Sequence, residues 1–431
     1  MKQILLYHFI LILFFSGDIL YAQKTFIHCG NLLDVKNEKM LKEMTIVVEG
    51  NIITALEKGF LPVSGNDVLI DLKNKTVLPG LMDMHVHIEG ETSKNSYLEK
   101  FTLNDADIAF RSIGYAEKTL LAGFTTVRDM GGSGVNVSLR NAINQGRVKG
   151  PRIYTAGKSI ATTGGHADPS NGYKKGLVED PGPYEGVING PDEARQAVRQ
   201  RIKEGADVIK ITATGGVLSV AKDGSSPQFT EDEIRAIIET AKDFGMHVAA
   251  HAHGAEGMKR AIRAGVTSIE HGTIMDDEVI DLMKKHGTWY VPTITAGKTV
   301  ADSAKVPGYY ADLVVPKALA IGPQIQNTFG VAYKRGVKIA FGTDAGVFLH
   351  GYNGKEFGYM VEAGMPPMAA LKSATVSSAE LLNIQDKLGS IEKGKLADII
   401  AVDENPLENI QTMEKVTFVM KDGQVYKLNQ N

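Results

Sequence analysis

Lys203-Glu204-Gly205-Ala206-Asp207-Val208-Ile209-Lys210-Ile211-Thr212 passes within ten residues from a charged helical ending, through a glycine, into a β-branched strand. Glycine suits such a junction because a helix ending in a left-handed residue meets no Cβ penalty there. The junction recurs six times. It stands at Gly123 before Phe-Thr-Thr-Val, Gly150 before Pro-Arg-Ile-Tyr, and Gly245 before Met-His-Val-Ala-Ala. It returns at Gly265 before Val-Thr-Ser-Ile, Gly287 before Thr-Trp-Tyr-Val, and Gly336 before Val-Lys-Ile-Ala-Phe. With an opening strand near Thr76 to His87, this gives eight strands alternating with helices. Such alternation implies parallel strands joined by right-handed crossovers. The expected fold class is therefore α/β, a (β/α)8 TIM-type barrel over residues 79–385. No G-x-G-x-x-G opens a helix after the first strand, which argues against a doubly wound open sheet.

The flanks have a different texture. Thr45-Ile-Val-Val, Ile52-Ile-Thr-Ala and Val68-Leu-Ile-Asp-Leu precede the barrel, and Ala397-Asp-Ile-Ile-Ala-Val, Thr417-Phe-Val-Met and Val425-Tyr-Lys-Leu follow it. Neither flank carries enough strands for a stable sheet alone, so residues 23–78 and 386–431 are expected to form one small β-sandwich domain from both chain ends. Segments 159–191 and 293–316 interrupt the helix–strand rhythm just after strand ends, where lids over a site are expected.

Composition limits the rest. A chain of 431 residues, 43% of them hydrophobic, builds a large core, and a net charge of −3 leaves no electrostatic footprint for nucleic acid. Lys2, the apolar run Ile4 to Phe15 and the small-residue ending Leu20-Tyr21-Ala22 form the three-part pattern of a secretory signal peptide over residues 1–22. The run is shorter than the ~20 residues of a spanning helix. A secreted or periplasmic protein without stable membrane insertion is the expectation. Cys29 is the single cysteine, so no internal disulfide forms.

The histidines carry the chemistry. His85 and His87 end the first strand and, two residues apart, point the same way. His251, His271 and Asp344 end the fifth, sixth and eighth strands, and Lys210 lies in the fourth. Imidazoles and a carboxylate gathered at one rim are the ligands of a hydrolytic zinc-type ion. An ammonium inside a strand beside such ions is repelled and costly to desolvate, which favours the neutral amine of Lys210. A neutral amine takes up carbon dioxide to give a carbamate, whose two oxygens would bridge two ions. The competing role for Lys210 is an ion pair with Asp344 or Asp129.

The signatures Pro79-Gly-Leu-Met-Asp-Met-His-Val-His, Lys210, His251, His271 and Gly342-Thr-Asp-Ala-Gly, with Gly389-Ser-Ile-Glu-Lys-Gly-Lys-Leu-Ala-Asp-Ile-Ile near the end, resemble the amidohydrolase superfamily over nearly the whole mature length. Gly123-Phe-Thr-Thr-Val-Arg-Asp, Thr163-Gly-Gly-His166, Ile269-Glu-His-Gly-Thr and Val291-Pro-Thr are similar to its imidazolonepropionase-like group, which holds Xaa-Pro dipeptidases and metallo-carboxypeptidases. That resemblance implies two divalent metal ions, with zinc the expected element. One would be held by His85, His87 and Asp344, the other by His251 and His271, with carboxylated Lys210 and a hydroxide between them. It further implies that Asp344 collects the proton of the attacking hydroxide and delivers it to the departing amine. The expected substrate is a dipeptide or an N-acyl amino acid. His253, His166, Arg128 and His350 are the candidate substrate contacts, Arg128 through a bidentate pair with a substrate carboxylate. A homo-oligomer is compatible with the sequence. The alternatives are a mononuclear cyclic-amide hydrolase or deaminase, for which a bridging lysine is superfluous, and a non-catalytic barrel serving as a binding module. No P-loop, kinase signature, Cys-x-x-Cys pair or G-x-S-x-G elbow is present.

Overall fold

The computed structural model describes residues 23–220 and 224–429. The leader expected over residues 1–22 lies outside them. Among the described residues no helix is long and apolar enough to cross a membrane.

The fold is α/β. Strands Leu81–Val86, Phe124–Asp129 and Arg152–Thr155 pair in parallel, in that order. Ile209–Thr212, Val248–Gly254, Ser268–Ile274 and Trp289–Val291 form a second parallel sheet. The two are joined on one side where Asp207 N donates to Thr155 O at 2.7 Å and Ile160 bridges Ile211. On the other side Tyr290 bridges Ile339 in parallel. From there the chain meets the first strand again: Met84 N donates to Phe341 O (2.8 Å), Asp344 N to His85 O (2.7 Å) and His87 N to Ala345 O (2.7 Å). Parallel bonding thus returns to the strand where it began.

Local chemistry explains the helices between these strands. Glu231–Asp243 starts at Thr230, whose side chain accepts from Glu233 N while the Glu233 carboxylate accepts from Thr230 N. That reciprocal cap satisfies two donors the helix leaves unpaired. Ile234, Ile237 and Ala241 then fall on one buried face. Thr230→Ala is expected to destabilise the protein by about 1 kcal/mol, read as a lower denaturation midpoint. Pro191–Glu204 and Ala255–Ala264 end at Gly205 (φ 93°) and Gly265 (φ 99°), both left-handed, as the repeated junction requires.

Both chain ends enter a separate sheet of seven strands. Its order is Gln424–Leu428, Phe418–Lys421, Ile399–Val402, Val68–Pro79, Lys24–Asp34, Lys39–Glu49 and Ile52–Lys58. The sandwich expected from the sequence is in hydrogen bonding one continuous sheet. Lys24–Asp34 and Val68–Pro79 are eleven and twelve residues long, enough for twist to accumulate and curl the sheet over itself. Ile53 N consequently donates to Lys395 O at 2.9 Å across the curl. Ile27, Ile46, Ile53, Leu72, Ile399 and Phe418 share the core it encloses. Val68–Pro79 passes through Gly80 directly into Leu81–Val86, where the chemistry begins. A Cβ on Gly80 would lie 2.3 Å from Thr125 Oγ1, so only glycine permits that close passage.

Candidate metal centre

Every residue of Leu81–Val86 is buried. The His85 ring at its end is oriented by a carboxylate: Nδ1 lies 2.8 Å from Glu270 Oε2. Glu270 Oε1 in turn accepts from Arg128 Nη2 at 2.7 Å and from Ser268 Oγ at 2.5 Å. With Nδ1 donating to the carboxylate, Nε2 keeps a lone pair facing the cavity. His87 is set the same way, its Nδ1 donating to Gly131 O at 2.6 Å. The His271 Nδ1 is paired with Thr293 Oγ1 at 2.8 Å.

Asp344 faces these rings. Its Oδ1 is 3.6 Å from His85 Nε2 and 3.5 Å from His87 Nε2. That oxygen is buried with no hydrogen-bond partner among the described residues, a costly state for a carboxylate unless something else satisfies it. Ligand atoms about 2.1 Å from a tetrahedral ion stand roughly 3.4 Å from one another. The separations around Asp344 Oδ1 fit that figure. His85, His271 and Asp344 together bring ligand atoms within 4.8 Å of each other.

Lys210 Nζ approaches His85 Nε2 to 3.4 Å from the strand Ile209–Thr212. Glu270, Asp344 and Asp129 are near enough to attract its charge. Burial pushes the Lys210 amine down from the ordinary ammonium range, against the pull of Glu270 and Asp344. Burial likewise raises the Asp344 carboxyl, which Lys210 opposes. His85, His251 and His271 are held well below the usual imidazole range, first by burial and then by neighbouring rings and Lys210. Neutral imidazoles are the form that ligates metal.

The remaining rings pack against this set. His251 has Nε2 3.1 Å from Gly215 O, stacks on His166 at 4.4 Å and meets His271 at 4.6 Å. His253 pairs its Nδ1 with Thr273 Oγ1 at 2.9 Å and stacks on His271 at 5.1 Å. Both His253 and His166 line a cavity of about 260 Å³ together with His87, Lys210, His251, His271 and Asp344. Ser159 and Ala167 of one insertion reach it. So do Thr293, Ala296 and Val300 of the other, which opens with the helix Ile294–Ser303.

Two candidates belong elsewhere. Arg128 is fully buried, is not among the side chains lining the cavity, and directs Nη2, Nη1 and Nε at Glu270, Ser268 Oγ and Met84 O rather than at a substrate carboxylate. Its pairing partners come from strands distant in sequence, so the motif around it did not show them. His350 is buried away from the cavity, with Nε2 near Gly90 O (3.1 Å) and Nδ1 near Thr119 Oγ1 (3.3 Å). It packs a loop.

Three positioning residues escaped the sequence reading. Glu270 is one; a carboxylate two residues from Ser268 in a strand buried from Ser268 to Thr273 was its signal. Asp83 is another, accepting from His85 N (3.1 Å), Thr343 N (3.1 Å), Thr343 Oγ1 (2.6 Å) and Asn353 Nδ2 (2.8 Å). It thereby ties the His85 strand to the turn bearing Asp344. Thr293 is the third. His271, Thr293 and Asp344 all have left-handed backbone (φ 69°, 54° and 60°), which costs about 1–3 kcal/mol each in non-glycine residues. Tyr290 Oη donating to His271 O at 2.9 Å and Thr293 N donating to Gly342 O at 3.1 Å help hold them. Glu270→Gln is expected to weaken metal affinity about 10- to 100-fold, the usual cost of losing an outer partner of a ligating imidazole, as measured by competition with a chromogenic chelator.

Residues 76–426 match the model of the amidohydrolase family. Among solved structures, a Xaa-Pro dipeptidase with bound methionine in its active site is 56% identical, covering 94% of this chain and 100% of that one, with a TM-score of 0.92. A prolidase complexed with N-methylphosphonate-L-proline is 33% identical over 94% of this chain and 100% of that one, with a TM-score of 0.86. Ochratoxinase of Aspergillus niger is 34% identical over 371 residues, 81% of this chain and 75% of the relative.

Proposed function

Because the chain belongs to the amidohydrolase family and is thereby a hydrolase acting on carbon–nitrogen bonds, we propose that it cleaves the amide bond of a dipeptide or an N-acyl amino acid at a site for two divalent ions. The carrying observation is the buried Asp344 Oδ1, without a hydrogen-bond partner among the described residues, between His85 Nε2 and His87 Nε2. The dipeptidase and prolidase relatives bind methionine and a proline phosphonate, which supports an amino-acid-sized substrate and favours an Xaa-Pro dipeptide. The parallel circuit of eight segments is on this reading a (β/α)8 barrel, residues 79–385, with 23–78 and 386–431 as the second domain.

His85, His87 and Asp344 would hold one ion and His251 and His271 the other. Zinc is the ion that suits these donors best. Lys210 would act as a carbamate between them, its neutral amine adding carbon dioxide and releasing one proton. When bound, such ions supply Lewis acidity and a hydroxide at neutral pH. Asp344 Oδ1 takes the proton as the nucleophile adds to the scissile carbonyl, then carries it to the amine nitrogen as the carbon–nitrogen bond breaks. His253 and His166, on the cavity wall, are placed to contact the substrate. Glu270 and Asp83 keep rings and turn in register throughout.

Turnover of Xaa-Pro dipeptides or N-acyl amino acids by zinc-loaded protein, lost on chelation and restored by added metal, is the expected result. Undiminished turnover after metal is stripped to background would overturn the reading. Activity confined to cyclic amides or to amino-group release from a heterocycle would replace it with the deaminase branch. We further propose export through the leader over residues 1–22. The mature protein recovered outside the cytoplasm should then begin at Gln23 on N-terminal sequencing.

A further inference from the structure

The cavity has two unlike halves. Its floor carries the imidazoles, Lys210 and Asp344, most of them on strands, and an apolar wall is built by Val217, Ala296, Val300, Ile321, Ile325 and Val347, mostly from helices. Among the described residues lining the cavity, Lys210 and Asp344 are the only lysine, arginine or carboxylate side chains, and both belong to the floor. We propose that this wall is a subsite for an apolar side chain adjoining the scissile bond, so that substrates with a medium-sized aliphatic or thioether residue are selected over glycine and over charged residues. This rests on the dipeptide and N-acyl amino acid reading and names the substrate class within it.

Three elements fix the wall. The helix Ile294–Ser303 crosses close to the turn at Gly322, because neither crossing residue carries a Cβ. A Cβ on Gly322 would lie 2.5 Å from Gly297 O, and one on Gly297 would lie 2.6 Å from Ile325 Cγ2. The loop bearing Val217 is held from the helix Val315–Ile321 by Lys317 Nζ, which donates to Gly216 O (3.1 Å) and Ser219 O (2.7 Å). Val217, Val300 and Ile321 are backed by Ala304 and Ala318 in one small apolar cluster. A wall packed this way is preformed, so it rewards shape as well as hydrophobicity.

Chemistry sets the sign of the preference. A carboxylate or ammonium pressed against this wall loses water and meets no lysine, arginine or carboxylate of the wall among the described residues. A volume of about 260 Å³ lies just below the ~300–1,000 Å³ typical of small-molecule sites. It suits two residues rather than a longer peptide. Hydrophobic pockets discriminate a methylene by roughly 10- to 200-fold at best. An X of leucine or methionine is therefore expected to exceed glycine by about tenfold or more in kcat/KM.

The test uses zinc-loaded full-length protein, an X-Pro series and an N-acetyl-X series with X as glycine, alanine, leucine, methionine and glutamate. It is paired with calorimetric binding of free methionine, leucine, glycine and glutamate. The expected result is a preference of about tenfold or more for leucine and methionine in one series, which assigns the wall to that side of the bond. Ala296→Leu narrows the wall and should move the preference about tenfold towards alanine. Val300→Ala widens it and should move the optimum towards larger residues. Opposite shifts are not produced by a merely structural role, and one variant suffices if the other does not fold. Equal kcat/KM across both series, or the same shift from both variants, would overturn the subsite. If neither series is hydrolysed, the dipeptide reading fails. The amino-acid binding then decides the subsite separately: methionine and leucine bound more tightly than glycine and glutamate sustain it, and equal affinities end it.

Discussion

Asp344→Asn is expected to lower kcat by at least about 10³-fold on the best substrate, with the fold retained. Two functions are lost at one atom. Oδ1 stands among the imidazoles of His85 and His87 at 3.6 and 3.5 Å, and an amide oxygen there binds a divalent cation more weakly than a carboxylate. The amide also cannot carry a proton to the leaving nitrogen, a role worth about 10²–10⁴-fold by itself. The two losses separate by measurement. Bound metal, read by elemental analysis, reports the first. Turnover at saturating metal, on a substrate with an activated leaving group, reports the second, since an amine that departs without a proton needs no carrier. Wild-type activity in Asp344→Asn would remove this residue from the chemistry altogether.

Lys210→Ala is expected to cost about 10³-fold and to lower bound metal from two ions per chain towards one. The side chain sits in a strand of buried residues, 3.4 Å from His85 Nε2. Burial disfavours an ammonium there even with Glu270 and Asp344 drawing on it, whereas a carbamate would fill the space between the imidazoles. Loss of an ion removes several kcal/mol of charge stabilisation from the transition state, and about 4 kcal/mol corresponds to three powers of ten. A short carboxylic acid such as propionate, added to Lys210→Ala, is expected to restore part of the activity by occupying the vacated space. Full activity in Lys210→Ala with a single ion per chain would instead favour the mononuclear branch.

Legibility in the sequence follows the range of the forces involved. The helix-to-strand junctions are legible because a left-handed cap is a local demand, and Gly205 and Gly265 answer it within a residue or two. Period two in a strand likewise makes His85 and His87 neighbours before any fold is known. Roles decided around the circumference of the parallel circuit are not legible in this way. Arg128 meets Met84 on the neighbouring strand and Ser268 and Glu270 on a strand of the other parallel sheet, contacts that exist only once the two sheets face each other. Glu270 is hidden by the same fact, and Asp83 by its attachment to Thr343, 260 residues away. His350 looked well placed because it follows the turn of Asp344, yet its ring turns towards Gly90 and Thr119. The β flanks show their strands in the pattern, but whether those strands make one curled sheet or two depends on accumulated twist, which no short window contains.

The pairing of Ile399–Val402 with Val68–Pro79 has a consequence for the order of events in synthesis. The strand that runs on into His85 borders a partner made more than three hundred residues later. While the ribosome is still at work, that strand has one open edge and the imidazoles at its tip lack a settled scaffold. Pairing over so long a stretch of chain is also slow. Hydrolytic capacity should therefore arise only after release of the finished polypeptide, and a nascent chain stalled before codon 399 should be inert.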